Sequence, residues 1–476
     1  MNFTGRRYHF SGVGGSGMAP LAMLCASWGA TVTGSDRNHD RGLDLPVFAG
    51  LKALGIRLVP QDGCGVMPDL DAMVHSAAVE QANPDVVAAE TLGVRRVRRG
   101  SFLAAIASEK RAIAVAGTSG KSTVTAMIAH VLVETGLDPT FLGGGSAVSL
   151  RDALPPGSLR PGGSDWFVVE TDESDGSVAE FAPAIAVLTN LSRDHKEIDE
   201  TARNFSEMVS KTRERAVWHS GDPTLAKVTR PSALPAVYVA VEGAPVWAQP
   251  NLIARSVRLG PSEVRFEVDD VAVRVPFPGA LTVENAVIAL GAATAAGVPL
   301  ERAAAALSSF GGVERRLQRI GAARGIDVYD DFGHNPVKIA AALAALRPAG
   351  ALWVYYQPHG YGPTRFFRDQ LIETFVTGFR PGDRLLLAPI YDAGGTADRS
   401  YRSENLVEDL STAGVNATLA SSRPEAACAI AAGARASDRA VVMGARDDTL
   451  PAFAREILAA LSGKPEAAPA PSQHKA

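Results

Sequence analysis

Short runs of β-branched and aromatic residues alternate with alanine-rich stretches along most of this chain. Thr31-Val32-Thr33, Ala112-Ile113-Ala114-Val115, Trp166-Phe167-Val168-Val169, Ile185-Ala186-Val187-Leu188 and residues 384–387 read as strands. Residues 124–132, 286–296 and 339–346 read as helices. Such alternation predicts βα units around largely parallel sheets, an α/β fold. Between about 240 and 278 the pattern changes: Val264-Arg265-Phe266-Glu267-Val268 is apolar at every second position, which predicts a β-rich patch. Two seams interrupt the series, a polar and basic stretch at 95–111 and the segment Phe310-Gly311-Gly312-Val313-Glu314-Arg315-Arg316. They divide the chain into expected domains at 1–107, 108–312 and 313–463. The Pro/Ala-rich, polar residues 464–476 are expected to be a disordered tail.

Two of the strand-to-helix junctions carry glycine loops. Tyr8-His9-Phe10 leads into Gly12-Val13-Gly14-Gly15-Ser16-Gly17 and then an apolar helical stretch, a G-x-G-x-x-G pattern. Its glycines permit close backbone approach, and the helix N-terminus attracts a diphosphate. Asp36, after a second strand, is placed to accept from a ribose hydroxyl. The motif leaves NAD, FAD and a nucleotide-sugar diphosphate all open, as well as a glycine-rich turn with no ligand.

The second loop, Gly117-Thr118-Ser119-Gly120-Lys121-Ser122-Thr123, follows a buried strand and opens a helix. It is a P-loop shortened by two residues between its glycines. Backbone N–H groups would cradle phosphates, Lys121 would reach the β/γ-phosphates, and the Ser122 hydroxyl would ligate Mg²⁺. Magnesium needs further oxygen ligands. The strand at 166–169 ends in Glu170-Thr171-Asp172-Glu173-Ser174-Asp175, and that at 185–188 runs into Thr189-Asn190-Leu191-Ser192-Arg193-Asp194-His195. Glu170 and His195 are therefore candidate metal residues at the carboxyl ends of parallel strands.

Composition narrows the class. The 476 residues allow about three domains. With 46% hydrophobic and 21% charged residues, a disordered, collagen-like or coiled-coil chain is excluded. A net charge of −4 supplies no global field for nucleic acid or anionic lipid. Cys25, Cys64 and Cys428 are too scattered for a disulfide framework or zinc site. Arg6-Arg7 precedes residues too glycine-rich for a signal segment, and no apolar run reaches membrane-spanning length. A cytoplasmic protein without membrane insertion is expected.

Taken together, these motifs resemble the Mur ligase family, the ATP-dependent amino-acid-adding enzymes of peptidoglycan synthesis, and within it the alanine-adding branch. Further landmarks are Gly34-Ser35-Asp36, Ser76-Ala77-Ala78-Val79, Asn83-Pro84, Pro278-Gly279, Asn285-Ala286, Arg315-Arg316, Asp330-Asp331-Phe332-Gly333-His334-Asn335-Pro336 and Gln357-Pro358-His359. The resemblance implies a Rossmann-like N-terminal domain for a UDP-sugar, a P-loop central domain for ATP and a Rossmann-like α/β C-terminal domain that brings the amino acid. It implies that the carboxylate of UDP-N-acetylmuramate attacks ATP to form an acyl phosphate, which an amine, by default that of L-alanine, then converts to an amide. Gly12, Gly14, Gly15, Ser16, Gly17, Asp36 and Ser76 would hold the UDP-sugar. Gly117 to Thr123, Asn285, Arg316 and Asp331 would hold ATP, with Mg²⁺ on Ser122, Glu170 and His195. Lys121, Glu170, His195, His334 and Arg316 would serve the chemistry.

The match breaks in the third domain. The alanine-adding branch has Gly-His-His-Pro and Gln-Pro-His-Arg-Tyr-Thr-Arg where this chain has Gly333-His334-Asn335-Pro336 and Gln357-Pro358-His359-Gly360-Tyr361-Gly362-Pro363. Two arginines that would clamp an amino-acid carboxylate are thus Gly360 and Pro363. Arg365 and Arg446 are candidate replacements, beside His334 and His359, for an amino-acid site. The P-loop has Ser119 where the family has His, and Pro278-Gly279-Ala280-Leu281-Thr282 lacks a His-Asn pair. Lys211 reads as a surface lysine rather than the carbamylated lysine of related ligases. A paralogous ligase with another amino acid, peptide or carboxylate, and a non-catalytic nucleotide-sugar-binding regulator, remain as alternatives.

Overall fold

The computed structural model describes residues 3–77, 79–150, 157–193, 197–392 and 397–463. The chain opens with β1 (Arg7–Ser11), buried from Tyr8 to Ser11. With β2 (Thr31–Ser35), β3 (Arg57–Val59), β4 (Ala72–His75) and β5 (Arg96–Arg98) it forms a parallel sheet in the order β3-β2-β1-β4-β5. Strand order reverses between β1 and β4. In doubly wound sheets, that switch point opens a crevice at the carboxyl ends of the strands.

The central sheet comprises β6 (Arg111–Ala116), β7 (Thr140–Leu142), β8 (Leu159–Arg160), β9 (Trp166–Glu170), β10 (Ile185–Leu188), β11 (Arg215–His219), β12 (Ala236–Val241), β13 (Leu252–Leu259), β14 (Val264–Val268) and β15 (Val271–Val275). Its order is β15-β14-β13-β12-β11-β10-β6-β9-β7-β8. β6 is flanked by β10 and β9 in parallel register. Its residues from Ala112 to Ala116 are fully buried, as befits a strand covered on both faces. The expected β-rich patch is the antiparallel pair β14–β15. Asp269 and Asp270 turn it with φ of 48° and 64°, the left-handed pair that a two-residue hairpin requires.

The first two sheets share one hydrophobic core, in which Tyr8, Phe10 and Phe102 are continuous with Phe167 and Trp218. Trp28 meets Phe167 edge-on at 6.3 Å. The basic stretch 95–111 is therefore packed structure: β5 and the helix Arg99–Ser108 fill it, turning Phe102, Leu103 and Ile106 inward and most of their polar neighbours outward.

The third sheet holds β16 (Gln318–Ala323), β17 (Ile326–Asp331), β18 (Leu352–Tyr356), β19 (Arg384–Leu387), β20 (Ala417–Leu419) and β21 (Arg439–Met443), in the order β16-β17-β21-β18-β19-β20. Only β16 in this sheet runs antiparallel to its neighbour. Side chains alternate across it: Leu352, Val354 and Tyr356 enter one core, while Tyr355 enters the other with Ile326 and Val328. Three α/β domains result. By packing, the chain forms two compact units, one of the described parts of Met1–Arg258 with Val264–Pro276 and Leu281–Val313, the other of Leu259–Glu263, Phe277–Ala280 and the described chain from Glu314. The predicted tail 464–476 lies outside the described residues. Among the described residues, no helix is long and apolar enough to cross a membrane.

Candidate functional site

The shortened P-loop joins β6 to the helix Lys121–Glu134. Gly117 and Gly120 have φ of 148° and 81°. A Cβ on Gly117 would lie 1.9 Å from Thr189 Oγ1, and one on Gly120 would lie 2.6 Å from Asn285 Oδ1. Backbone conformation and space both demand glycine at these two positions. The end of β10 clasps the loop. Ser119 N–H donates to Asn190 Oδ1 at 2.8 Å, and Asn190 Nδ2 and Thr189 Oγ1 donate to the Ser119 carbonyl at 2.9 and 2.8 Å. Thr118 Oγ1 donates to the Ser192 carbonyl at 3.1 Å. Thr123 lies in the first turn of the helix, whose leading N–H groups have no intrahelical acceptor.

Charge converges on this loop. Lys121 Nζ donates to the Gly117 carbonyl at 2.7 Å and to Glu173 Oε1 at 2.9 Å, with both side chains largely buried. Ser122 Oγ donates to Glu170 Oε1 at 3.1 Å, while Glu170 Oε2 accepts from Gly144 N–H at 2.7 Å. Ser122 and Glu170 thus offer adjacent hard oxygen donors, a set that suits Mg²⁺ completed by phosphate and water. Among the described residues, no cluster of three or more His, Cys, Asp or Glu side chains forms a metal site. His195, the expected third ligand, lies outside the described residues. Lys211 is exposed and donates to the Ala179 carbonyl at 2.6 Å.

The first glycine loop lies at the β1/β4 switch point, with Ser76 one residue beyond β4. Gly12 and Val13 N–H groups donate to the Ser35 carbonyl at 2.8 and 2.9 Å, and Gly15 N–H donates to the Gly12 carbonyl. Asp36, expected to face a ribose, accepts from Gly14 N–H at 2.9 Å and from Asn38 N–H at 2.8 Å. It shapes the loop and caps the next helix. The Ser16 and Gly17 N–H groups have no acceptor among the described residues. Beneath the loop, fully buried Asp85 accepts from Ser11 and Ser35 hydroxyls at 2.8 and 2.5 Å. Burial pushes its pKa up, but the His9 ring, 3.5 Å away, and hydrogen bonds from Ser35 and Ser11 outweigh that and hold it below the usual range. The sequence reading missed this layer, because each member is an ordinary strand or helix-start residue until the strands align.

In the C-terminal unit, Arg315, φ 58°, turns its guanidinium to the Gly444 and Ala445 carbonyls. Arg316 lies over the Phe332 ring, 4.7 Å from its centre. Asp331 accepts from Leu317 N–H at 2.8 Å and Gly333 N–H at 2.7 Å, so it fixes the arginine turn as well as its own loop. Burial raises its pKa. Neighbouring Asp330 is fully buried, and neither carboxylate oxygen has a hydrogen-bond partner among the described residues. Its nearest cation, Arg315 Nε, is 3.6 Å away. Burial pushes Asp330 up to about 7. His334 and His359 meet edge-on at 4.9 Å, and His334 Nδ1 faces the Phe332 carbonyl at 2.9 Å. Burial, with the charges of Lys338, His359 and Arg316, pushes His334 down to about 4, so its imidazole is neutral at pH 7.

The two candidate replacement arginines differ. Arg365 is ion-paired to Asp398. Arg446 is exposed and has no ion partner among the described residues. It lies beside buried Gly360, whose Cβ would fall 3.5 Å from Arg446 Nη1 and whose φ of 154° disfavours a side chain.

Comparisons with known proteins agree with this architecture. Three family models match in order: "Mur ligase family, catalytic domain" over residues 7–111, "Mur ligase middle domain" over 115–293 and "Mur ligase, glutamate ligase domain" over 315–446. The UDP-N-acetylmuramate–L-alanine ligase of Burkholderia ambifaria is 34% identical over 457 residues, covering 92% of this chain and 95% of that protein. That of Bdellovibrio bacteriovorus is 32% identical over 419 residues, 85% of this chain and 88% of that one. Among solved structures, the UDP-N-acetylmuramate–alanine ligase of Thermotoga maritima shares the fold with a TM-score of 0.76 and 24% identity, covering 95% of this chain and 98% of that one. A murein peptide ligase from Psychrobacter arcticus has a TM-score of 0.66 and 24% identity, covering 96% and 99%. This chain belongs to the Mur ligase family and is an ATP-dependent ligase.

Proposed function

We propose that this enzyme joins an amino acid, by default L-alanine, to the carboxylate of UDP-N-acetylmuramate, with release of ADP and phosphate, in the cytoplasmic synthesis of peptidoglycan precursors. The observation that carries this reading is the P-loop cluster, in which Lys121, Ser122 and Glu170 converge at the ends of β6 and β9. The domains proposed are 1–107 for the UDP-sugar, 108–312 for ATP and 313–463 for the amino acid. Gly12, Gly14, Gly15, Ser16, Gly17 and Ser76 are proposed to line the first site, where the N–H groups of Ser16 and Gly17, without acceptors among the described residues, would receive an anion. Asp36 holds the loop's shape there.

The sugar carboxylate attacks the γ-phosphorus of ATP, ADP leaves, and the acyl phosphate is opened by the amine with loss of phosphate. The first step concentrates negative charge on the transferring phosphoryl oxygens. Lys121 exchanges Glu173 for those oxygens, and the leading N–H groups of the helix Lys121–Glu134 hold the remaining phosphates. Ser122 and Glu170, with His195 proposed as a further ligand, would hold Mg²⁺, which neutralises phosphate charge when bound. Asn285, whose side chain abuts Gly120, is the proposed nucleotide-side contact, and Arg316 and Asp331 are proposed as further ATP-binding residues. His334, whose imidazole is neutral, and His359 are proposed to receive the incoming amine.

A second reading concerns the acceptor. Arg365 is occupied by Asp398 and the position of Gly360 disfavours a side chain, which leaves Arg446 as the available carboxylate clamp. A different amino acid or a peptide therefore competes with L-alanine as acceptor. Phosphate release measured with UDP-N-acetylmuramate and a panel of amino acids and short peptides tests both readings. Turnover with L-alanine at ordinary affinity supports the first. Turnover with another acceptor alone supports the second, and none with any acceptor, while ATP binds, overturns the ligase assignment.

A further inference from the structure

Arg99 opens the helix Arg99–Ser108 directly after β5. Its side chain is 19% exposed and lies across Gly17, the last residue of the first glycine loop. A Cβ on Gly17 would fall 3.1 Å from Arg99 Nη1 and 3.2 Å from its Cδ. A side chain there would thus crowd the arginine. On its other edge, Arg99 Nη2 donates to Asp172 Oδ2 at 2.9 Å and lies 3.8 Å from Asp175 Oδ2. Nε and Nη1 have no acceptor among the described residues.

The acidic segment that Arg99 grips is the one that serves the P-loop. Glu170 bonds Ser122 and Glu173 bonds Lys121, on either side of Asp172. The start of the helix is fastened to the same region: Ser101 Oγ donates to Glu180 at 2.8 Å, and a Cβ on Gly100 would collide with Ser177. Burial raises the Asp172 pKa, but hydrogen bonds from Ser174 and the charges of Arg99 and Lys121 bring it below the usual carboxylate value. One guanidinium therefore touches the end of one glycine loop and the acids that surround the other. Only arginine has a planar fork that can serve two anions on separate edges.

We infer that Arg99 is a positioning residue that couples the two nucleotide sites. A diphosphate on the Gly12–Gly17 loop engages the Nε/Nη1 edge while Nη2 keeps Asp172, so filling the first loop orders the acids around Lys121 and Ser122. This rests on the proposed reading that the first loop takes a UDP-sugar.

The test titrates the full chain with UDP-N-acetylmuramate, with UDP as the minimal probe, in the presence and absence of magnesium and a non-hydrolysable ATP analogue. In the native protein each ligand tightens the other by about fivefold or more. Arg99→Gln weakens UDP binding by about tenfold and abolishes the mutual tightening. Asp172→Asn frees the guanidinium, so UDP affinity holds or rises while the tightening is lost. Arg99→Lys recovers part of the UDP affinity through its charge but none of the tightening. A mere strut would behave differently: Arg99→Gln would lower Tm and leave both UDP affinity and coupling at native values, which overturns the inference. Equal loss of UDP affinity in Asp172→Asn and Arg99→Gln overturns it as well. A native chain that binds the ATP analogue but neither UDP nor the UDP-sugar overturns the proposed function itself, and the coupling with it.

Discussion

The P-loop and the loop cluster around His334 and Gly360 both lie at carboxyl ends of parallel strands, yet they handle charge in opposite ways. Around the P-loop the groups satisfy one another: Lys121 has Glu173, Ser122 has Glu170, and Ser119 is clasped by Asn190. Around His334, several polar groups rest on the backbone or lack a partner among the described residues. Arg315 donates to Gly444 and Ala445, and among the described residues Arg446 has no ion partner and Asp330 has no hydrogen-bond partner for either oxygen. A self-satisfied cluster suits fixed chemistry on an invariant group such as a phosphate. A cluster with an unpaired cation beside a glycine gap suits recognition that can be changed one residue at a time.

The largest expected effect falls on the satisfied side. Lys121→Ala removes the side chain that bonds both the Gly117 carbonyl and Glu173, and with it the charge proposed to face the transferring phosphoryl group. Turnover should fall by about 10²–10³-fold, read as ADP formed per enzyme, while the fold survives in circular dichroism. Activity within a few-fold of native would break the assignment of the P-loop as the chemical centre.

The next effect falls on the other side. Arg446→Ala should raise the KM for the accepted amino acid about 10–100-fold with kcat changed much less, as expected for one lost carboxylate clamp. Arg365→Ala, which loses an exposed pair with Asp398, should change that KM less than about threefold. The reverse ranking would show that the clamp lies at Arg365 and that the ion pair opens when substrate binds.

These contrasts also explain what was legible in the sequence. Both glycine loops were, because a tight strand-to-helix turn must be written in contiguous residues, and β6 and β9 announced themselves as unbroken apolar runs. Asp36 was legible as a conspicuous acid but not as the residue that holds Gly14, since that bond forms only when the strands lie side by side. Arg99 was hidden inside a stretch that reads as a polar seam, and only packing reveals that its helix belongs to the core. Arg316 was visible in the Arg-Arg pair, but its neighbour Arg315 makes the buried contacts, because a positive φ there turns the side chain inward. Loss of the expected arginines at Gly360 and Pro363 was plain from spacing. The proximity of Arg446, far along the chain, was not.

A smaller effect probes how the P-loop lysine is kept. Glu173→Gln leaves Lys121 without its carboxylate, so an incoming phosphate no longer has to displace an ion pair. The Kd of the ATP analogue should fall by about three- to tenfold, measured by calorimetry, with Tm lowered because a mostly buried cation loses its partner. Weaker nucleotide binding would instead mark Glu173 as a member of the nucleotide site in its own right, and the satisfied cluster would be larger than Lys121, Ser122 and Glu170.

The smallest effect separates the two regions by pH. Asp330 has its folded pKa pushed up to about 7, whereas an unfolded aspartate titrates near 4. Between those values the folded chain keeps a proton that the unfolded chain releases. Its contribution to stability is therefore full below about pH 4, declines as pH rises through the window and is gone above about pH 7. Asp330→Asn cannot ionise, so relative to the native chain it should gain about 1 kcal/mol as pH rises from 6 to 7. Thermal melts of both proteins at the two pH values give that difference, and titrations shared by both cancel. A difference that does not change with pH would mean that the Asp330 carboxyl keeps one charge state throughout. The unsatisfied oxygens beside Arg315 would then form an ion pair after all, and the contrast between the two clusters would narrow to Arg446 alone.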